Sequence, residues 1–435
     1  MGTGIFVTIP GLLLLTFLVR QLAVPAAVAG LVILVPRLWD VVTDPLAGSL
    51  SDRTRTRIGA RRPWLLAGSI LLPLAFLLLF RVPDLTGTTA AVYVLAIYIF
   101  GTTAYTVFQV PYVALPAEMT DDYDERTTIM AWRIAFLTIG ILVGGGAAPE
   151  IVAAGGGGRS GYALMAVVIA GFLFVVLFGT FLGTRSLRTF EPAVSTASVR
   201  QQIRTAAENR PFVWLLGGFL IQAVGVGAML AGVEFFATYR LLDTGQTTIL
   251  FVLLVAPALL TMPLWSWVGH RYGKRAGYLA CSTIFGVGGL ALLAASAERM
   301  WLAYVIVFVM GSAYAGTQMF PFAMLPDAIA ADTAKTGLRR AGAFTGIWTA
   351  GEKGGLSIGP AVFAACLAVT GFVETEGGAV VDQPDTAIAG IVVGFAVIPS
   401  LLMLASLLLI RRYDLDDETM RRLARHTDGG SDATA

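Results

Sequence analysis

Pro111-Tyr112-Val113-Ala114-Leu115-Pro116-Ala117-Glu118 returns 210 residues later as Pro321-Phe322-Ala323-Met324-Leu325-Pro326-Asp327. Each copy closes a long apolar run, so the two mark equivalent ends of two equivalent helices. A second echo agrees. Pro45-Leu46 followed by Asp52-Arg53 matches Pro263-Leu264 followed by His270-Arg271, shifted by 218. The two shifts differ only by the length of a loop, so the chain reads as two parallel copies, residues 1–183 and 212–411. A polar stretch, 184–211, joins them, and a tail, 412–435, follows.

The solvent of these copies follows from composition. The 435 residues are 56% hydrophobic and 13% charged, with a mean hydropathy of +0.77, against roughly 25% charged in an ordinary soluble domain. A bilayer core offers backbone groups no partner, so the chain must span it as helices or as a closed barrel; apolar runs of about 20 residues, without barrel alternation, select helices. Twelve spans are expected, near 5–20, 25–50, 63–81, 89–115, 128–153, 161–183, 212–238, 246–269, 275–296, 300–324, 341–371 and 386–410. The predicted fold is therefore an all-α membrane protein of two pseudo-symmetric six-helix bundles. One set of connecting loops carries 22 Lys and Arg residues and the other only Arg20, Arg81, Arg159, Arg240 and Arg299. Basic loops are retained in the cytoplasm, so both termini are expected there and the protein in the cell membrane. The first span has no basic residue ahead of it, as if the helix began further upstream. A signal peptide is the rival reading of this end: Ala26-Ala27-Val28-Ala29 supplies small residues for cleavage, but the basic n-region is missing.

Charge inside apolar spans is costly and marks the candidate site. The second span reads Pro36-Arg37-Leu38-Trp39-Asp40-Val41-Val42-Thr43-Asp44-Pro45. Helical spacing puts Asp40 and Asp44 on one face beside the Thr43 hydroxyl. Two such carboxylates repel unless a cation lies between them, which suits a hard monovalent cation such as Na+, or a proton. The structural alternative is an ion pair with Arg37. Tyr105, Thr106 and Gln109 form a polar stripe on the fourth span, which could equally serve as interhelical glue. Arg133 in the fifth span and Lys353 in the eleventh, next to Glu352, are the cations available to neutralise the carboxylates or to grip a polar ligand. Arg133 could instead snorkel, and Lys353 could pair with Glu352. The loop after the second span places Asp52 before Arg53, Arg55, Arg57, Arg61 and Arg62. Asp52 with Arg53 and Arg61 is read as a gate, beside the simpler role of holding the loop in the cytoplasm.

Other chemistries are not supported by the sequence. The histidines are His270 and His426, no hydrolase or zinc motif is present, and Gly155–Gly158 runs into Arg-Ser rather than a phosphate-loop Lys. No enzyme activity and no cofactor beyond a bound cation is expected. A net charge of +2, with basic residues scattered among loops, speaks against nucleic acid as partner. Cys281 and Cys366 lie in apolar segments without metal-ligand spacing and are read as packing residues.

From Arg37-Leu38-Trp39-Asp40 through Thr43-Asp44-Pro45 and Asp52-Arg53 to Arg61-Arg62-Pro63-Trp64, the chain resembles the glycoside–pentoside–hexuronide:cation symporters of the major facilitator superfamily. Pro111–Pro116, the acidic Asp121–Glu125 and Lys353-Gly354-Gly355 extend the resemblance. It implies a cation site at Asp40, Thr43, Asp44 and Thr106, and a solute site near Tyr105, Gln109, Arg133, Lys353 and Phe320. It implies too a monomer that moves a sugar, glycoside or uronide across the bilayer with Na+ or H+. The family's fourth-helix aspartate falls at Gln109 and its first-helix aspartate at Gly4, a loss of acid that tilts the expected solute toward uronides. An amphiphilic cargo such as a lysolipid, and a receptor or scaffold without transport, are the competing readings.

Overall fold

A computed structural model describes residues 1–119, 123–185, 206–336 and 341–415. Within these, only the backbone is described at 41, 49, 52, 114, 116–118, 123–128, 130, 131, 134, 135, 335, 336 and 341–343. The described chain is helical between short loops. The helices are α1 (residues 2–21, Gly2–Ile9 continued by π-helical turns at Pro10–Leu14 and Phe17–Gln21), α2 (Ala26–Arg53), α3 (Arg62–Phe80), α4 (Gly87–Met119), α5 (Tyr123–Ala154) and α6 (Gly158–Gly183). They continue as α7 (Arg210–Tyr239), α8 (Gln246–Tyr272), α9 (Lys274–Ala291), α10 (Met300–Thr336), α11 (Ala341–Val369) and α12 (residues 385–410, with a π-helical turn at Val393–Val397). Eleven helices are long and apolar enough to cross a membrane, and Gly2–Leu14 is a shorter apolar helix. The protein is thus a multi-pass membrane protein, as its composition requires.

Two helices outrun the sequence reading. α4 continues to Met119 rather than ending near 115, and α10 to Thr336 rather than near 324. Pro116 and Pro326 suggested stops, because proline removes a backbone donor. Within a bundle neighbouring groups take up the carbonyls this frees, so the helices run on. The repeated motif has a local purpose in its second copy. The Lys274 ammonium at the start of α9 lies 2.6 Å from Asp327 Oδ2 and donates to the Ala323 carbonyl, clamping α9 to α10.

The pairing of helices repeats. α1 packs on α5 as α7 packs on α11, α2 on α4 as α8 on α10, α3 on α4 as α9 on α10, and α3 on α6 as α9 on α12. The two groups then meet through α2 with α11, α5 with α8, and α1 with α7, contacts that a two-fold relation would interchange. Close approach depends on missing side chains. A Cβ on Gly359 of α11 would lie 2.4 Å from the Ala228 nitrogen of α7, and one on Gly227 would lie 2.5 Å from the Leu356 carbonyl oxygen. Between membrane helices such small-residue contacts replace the hydrophobic drive that water supplies elsewhere. Both cysteines are free thiols, Cys281 being fully buried. Gly359→Val should destabilise the α7–α11 contact by about 1–3 kcal/mol, seen as a lower midpoint in thermal unfolding of the purified protein in detergent; an unchanged midpoint would contradict this packing.

Candidate functional site

α2 lies between α4 of its own group and α11 of the other, and its polar face points into that seam. Asp40 is 2% exposed. Its nearest cation is Arg37, one turn earlier on α2, with Nη1 3.8 Å from Oδ2, too far for a hydrogen bond. Both Asp40 oxygens are buried without a hydrogen-bond partner. Arg37 in turn lies over the Tyr98 ring, 5.7 Å from its centroid. The ion pair read as the structural alternative is therefore present but loose, and it leaves a desolvated carboxylate with unused acceptor capacity.

Asp44, one turn further, is held more firmly. Thr106 of α4 donates to its Oδ1 at 2.7 Å, and the Lys353 ammonium of α11 donates to its Oδ2. The ammonium also stands 5.8 Å from the centre of the Tyr105 ring. Asp44 and Lys353 keep about a quarter of their side-chain surface, 26% and 25%, so water or a small solute can reach the pair. Thr43 hydrogen-bonds back to the Trp39 carbonyl, which uses its hydrogen and leaves its lone pairs to a cation. Asp40, Thr43, Asp44, Thr106, Tyr105 and Lys353 thus form one cluster.

The remaining sequence-derived candidates fall at varied distances from it. Gln109 lies one turn beyond Tyr105 on α4 with its side-chain oxygen buried and unpartnered. Arg133 of α5 sits over the Tyr112 ring at 5.7 Å. Phe320 is not brought to the cluster and is corrected to a packing residue: it is 1% exposed, lies edge-on to Trp265 and fills the space left by Gly269 and Gly277 of α8 and α9. Of the residues read as a gate, Arg53 is exposed at the end of α2, and Arg61 is buried and donates to Ser51. The Asp52 side chain lies outside the described residues. Gly4 explains one departure noted above. A Cβ there would lie 2.6 Å from the Leu137 carbonyl oxygen of α5, so the position that would carry the family's first-helix aspartate admits no side chain.

The sequence reading missed a second polar cluster. Arg20 at the end of α1 is 4% exposed and faces Glu234 of α7 at 3.5 Å, Thr238 at 3.4 Å and the Gly378 carbonyl. The loop between α11 and α12 is laced to the same spot through Thr375 to Val19 and Ala23, Gly377 to Gln21 and Gly378 to Arg20. The signal was available: an Arg and a Glu sit near the same ends of the first apolar run of each copy. Counting Arg20 as a loop charge concealed it.

Breaking the central pair should be asymmetric. Losing one partner of a buried pair strands the other charge, and with a quarter of the surface still wet we expect Lys353→Met to cost about 1–3 kcal/mol. Adding Asp44→Asn should recover more than half of the loss in thermal unfolding of the purified protein; strictly additive losses would show that the two side chains do not interact.

Comparison with known proteins places this architecture. The chain is 27% identical to the putative glycoside/cation symporter YagG of Escherichia coli (strain K12), over 95% of this chain and 89% of that one. It is 27% identical to the sodium-dependent lysophosphatidylcholine symporter 1 of Mus musculus, over 73% of this chain and 66% of that one. A crystal structure of the nucleoside transporter NupG superposes with a TM-score of 0.61 at 14% identity, covering 94% of this chain and 97% of that one, a likeness of fold alone. Residues 1–417 match the family described as MFS/sugar transport protein; the chain belongs to that family of major facilitator transporters.

Proposed function

We propose that this transporter carries a small polar solute, a sugar, glycoside or uronide, together with a monovalent cation, Na+ or H+, by alternating access. The observation that carries the reading is the contrast between two carboxylates one turn apart. Asp40 is buried with both oxygens unpartnered, whereas Asp44 is held by a lysine from the other group of helices.

The ammonium of Lys353 occupies the place a transported cation would take at Asp44. A cation entering among Asp40, Thr43, Asp44 and Thr106 neutralises the carboxylates and releases Lys353. The freed ammonium, beside Tyr105 and within the same seam as Gln109 and Arg133, donates to a hydroxyl or carboxylate of the solute. Cation and solute then strengthen each other's binding by one shared factor. Without a side chain at position 4 and with Gln109 in place of an acid, the pocket is cationic in balance and suits a uronide better than a neutral galactoside.

Direction follows from closure. Contacts between the groups run from Asp44–Lys353 out to the Arg20–Glu234 cluster and the loop over it, through Gly30 against Ala361 and Ala364, Gly145 against Phe251 and Gly11 against Leu230. If the basic loops and both termini face the cytoplasmic side of the cell membrane, the structure is the state closed to the outside. Rocking of residues 1–183 against residues 212–411 would open the other face. The working unit is a monomer. Arg61 and Arg53, with Asp52, belong to the gate at the basic end.

An amphiphilic cargo is the second reading. It is favoured by the row Leu31, Val35, Leu38, Val42 and Leu46, all exposed along α2 next to the site, which would suit a lateral entrance. Uptake of radiolabelled glycosides, uronides and a lysophosphatidylcholine into proteoliposomes, with Na+ and H+ gradients imposed separately, tests both. We expect gradient-driven accumulation of a uronide or glycoside that falls at least about tenfold in Asp44→Asn, the scale of one lost charge contact of about 1.4 kcal/mol. Accumulation of the lysolipid alone would establish the second reading, and no accumulation of any compound would refute both.

A further inference from the structure

Three pairs of opposite charges stand among the membrane helices: Arg20 with Glu234, Arg37 with Asp40 and Lys353 with Asp44. Glu352 stands outside this pairing. It lies in the middle of α11, well inside the apolar stretch Phe344–Val369, and forms no hydrogen bond or ion pair among the described residues. The alternative pair with Lys353 does not form, because adjacent helical residues point apart and Lys353 reaches across to α2. A membrane-embedded carboxylate without a partner is costly and marks a site by default.

Glu352 instead lines a cavity of about 20 Å³ between α7, α10 and α11, together with Phe219, Gln222, Tyr314, Thr317 and Gln318. That volume admits a single water-sized occupant and excludes a sugar ring. The hydrogen bonds around it decide which groups remain available. Gln222 has no hydrogen left to donate, giving both amide hydrogens to Ser282 and Ser406, and its carbonyl oxygen accepts from Tyr278. Thr317 spends its hydrogen on the Tyr314 carbonyl at 2.9 Å, and Gln318 donates its amide to the Tyr314 hydroxyl at 3.0 Å. The Thr317 hydroxyl oxygen and the Gln318 carbonyl oxygen keep lone pairs for an occupant. One carboxylate and neutral oxygens around a water-sized space are the donor set of a small hard cation.

We propose that Glu352, with Thr317 and Gln318, is a second site for a small monovalent cation, a proton or Na+, held by the last six helices and separate from Asp40 and Asp44. The titratable groups facing it are Lys353 on its own helix and Tyr314 on α10; the wall from α7 supplies Gln222, which does not titrate. The two cation sites communicate through Lys353. Without forming a direct pair, a charged Glu352 weakens the hold of Asp44 on the neighbouring ammonium by attraction through space, and neutralising Glu352 removes that pull. The inference rests on the symport reading for its transport consequence, but not for the existence of the site.

Infrared difference spectra of the reconstituted protein test the site without any solute. They would be recorded at acidic and alkaline pH, each with sodium or choline chloride, for the wild type, Glu352→Gln and Asp44→Asn. A proton site gives a carboxylic-acid carbonyl band on acidification, indifferent to sodium, that Glu352→Gln lacks and Asp44→Asn keeps. A Na+ site gives a carboxylate band that shifts with sodium but not choline, with the same dependence on variant. Thr317→Val should weaken either response and stands in should Glu352→Gln fail to fold. Spectra of Glu352→Gln, or of Thr317→Val in its place, identical to wild type in all four buffers would overturn the proposal. In transport, Glu352→Gln should lower steady-state accumulation about tenfold for a tenfold cation gradient, one cation being lost from the coupling. Absent counterflow in the wild type would refute the symport reading while leaving the spectral result standing. Intact counterflow with undiminished accumulation in the variant would refute the second site's part in coupling.

Discussion

The ion pair between Asp44 of α2 and Lys353 of α11 joins the two groups of helices within apolar stretches, where charge is costly. It can exist only because α2 and α11 lie against each other, which in turn needs Gly30 set against Ala361 and Ala364. The pair spans the surface along which the groups would have to move, so its making and breaking is tied to their relative position. A structural salt bridge would be expected deep within one group and fully buried. This one keeps a quarter of its surface and stands one turn from Asp40, whose oxygens have no hydrogen-bond partner.

The far end of the same seam is closed by a different chemistry. Arg20 and Glu234 meet across α1 and α7, and the loop between α11 and α12 adds backbone hydrogen bonds to the end of α1. Opening that end requires these contacts to be lost together, and the groups gained on the other face must compensate. The central pair, with a quarter of its surface exposed, is the contact that the proposed cation would replace. The outer cluster, tied by several hydrogen bonds at once, is the one that would resist.

Much of this was legible in the chain before any coordinates. The proline motifs at 111–116 and 321–326 report two copies, and the recurring helix pairs fit that reading. The spacing of Asp40 and Asp44 fixed their shared face, because helical period alone determines it. What the sequence could not resolve was partnership over long separations. Lys353 lies 309 residues from Asp44, and nothing local distinguishes that partner from Glu352 next door or from Arg37 one turn away from Asp40. Phe320 was misplaced for the same reason: an aromatic residue beside a motif looks alike whether it faces a pocket or, as here, fills the gap over Gly269 and Gly277. Pro116 and Pro326 were read as helix ends because proline breaks isolated helices, whereas the surrounding bundle carries them through.

Competition between Lys353 and the transported cation for Asp44 is the centre of the account, and calorimetric cation binding to purified wild type, Lys353→Ala and Asp44→Asn measures it directly. Removing a tethered competitor should leave Lys353→Ala binding Na+ or H+ at least as tightly as wild type, with solute binding no longer dependent on the cation, while Asp44→Asn binds the cation weakly. Loss of cation binding in Lys353→Ala, to the level of Asp44→Asn, would show that the lysine supports the cation site rather than occupying it, and would contradict the account.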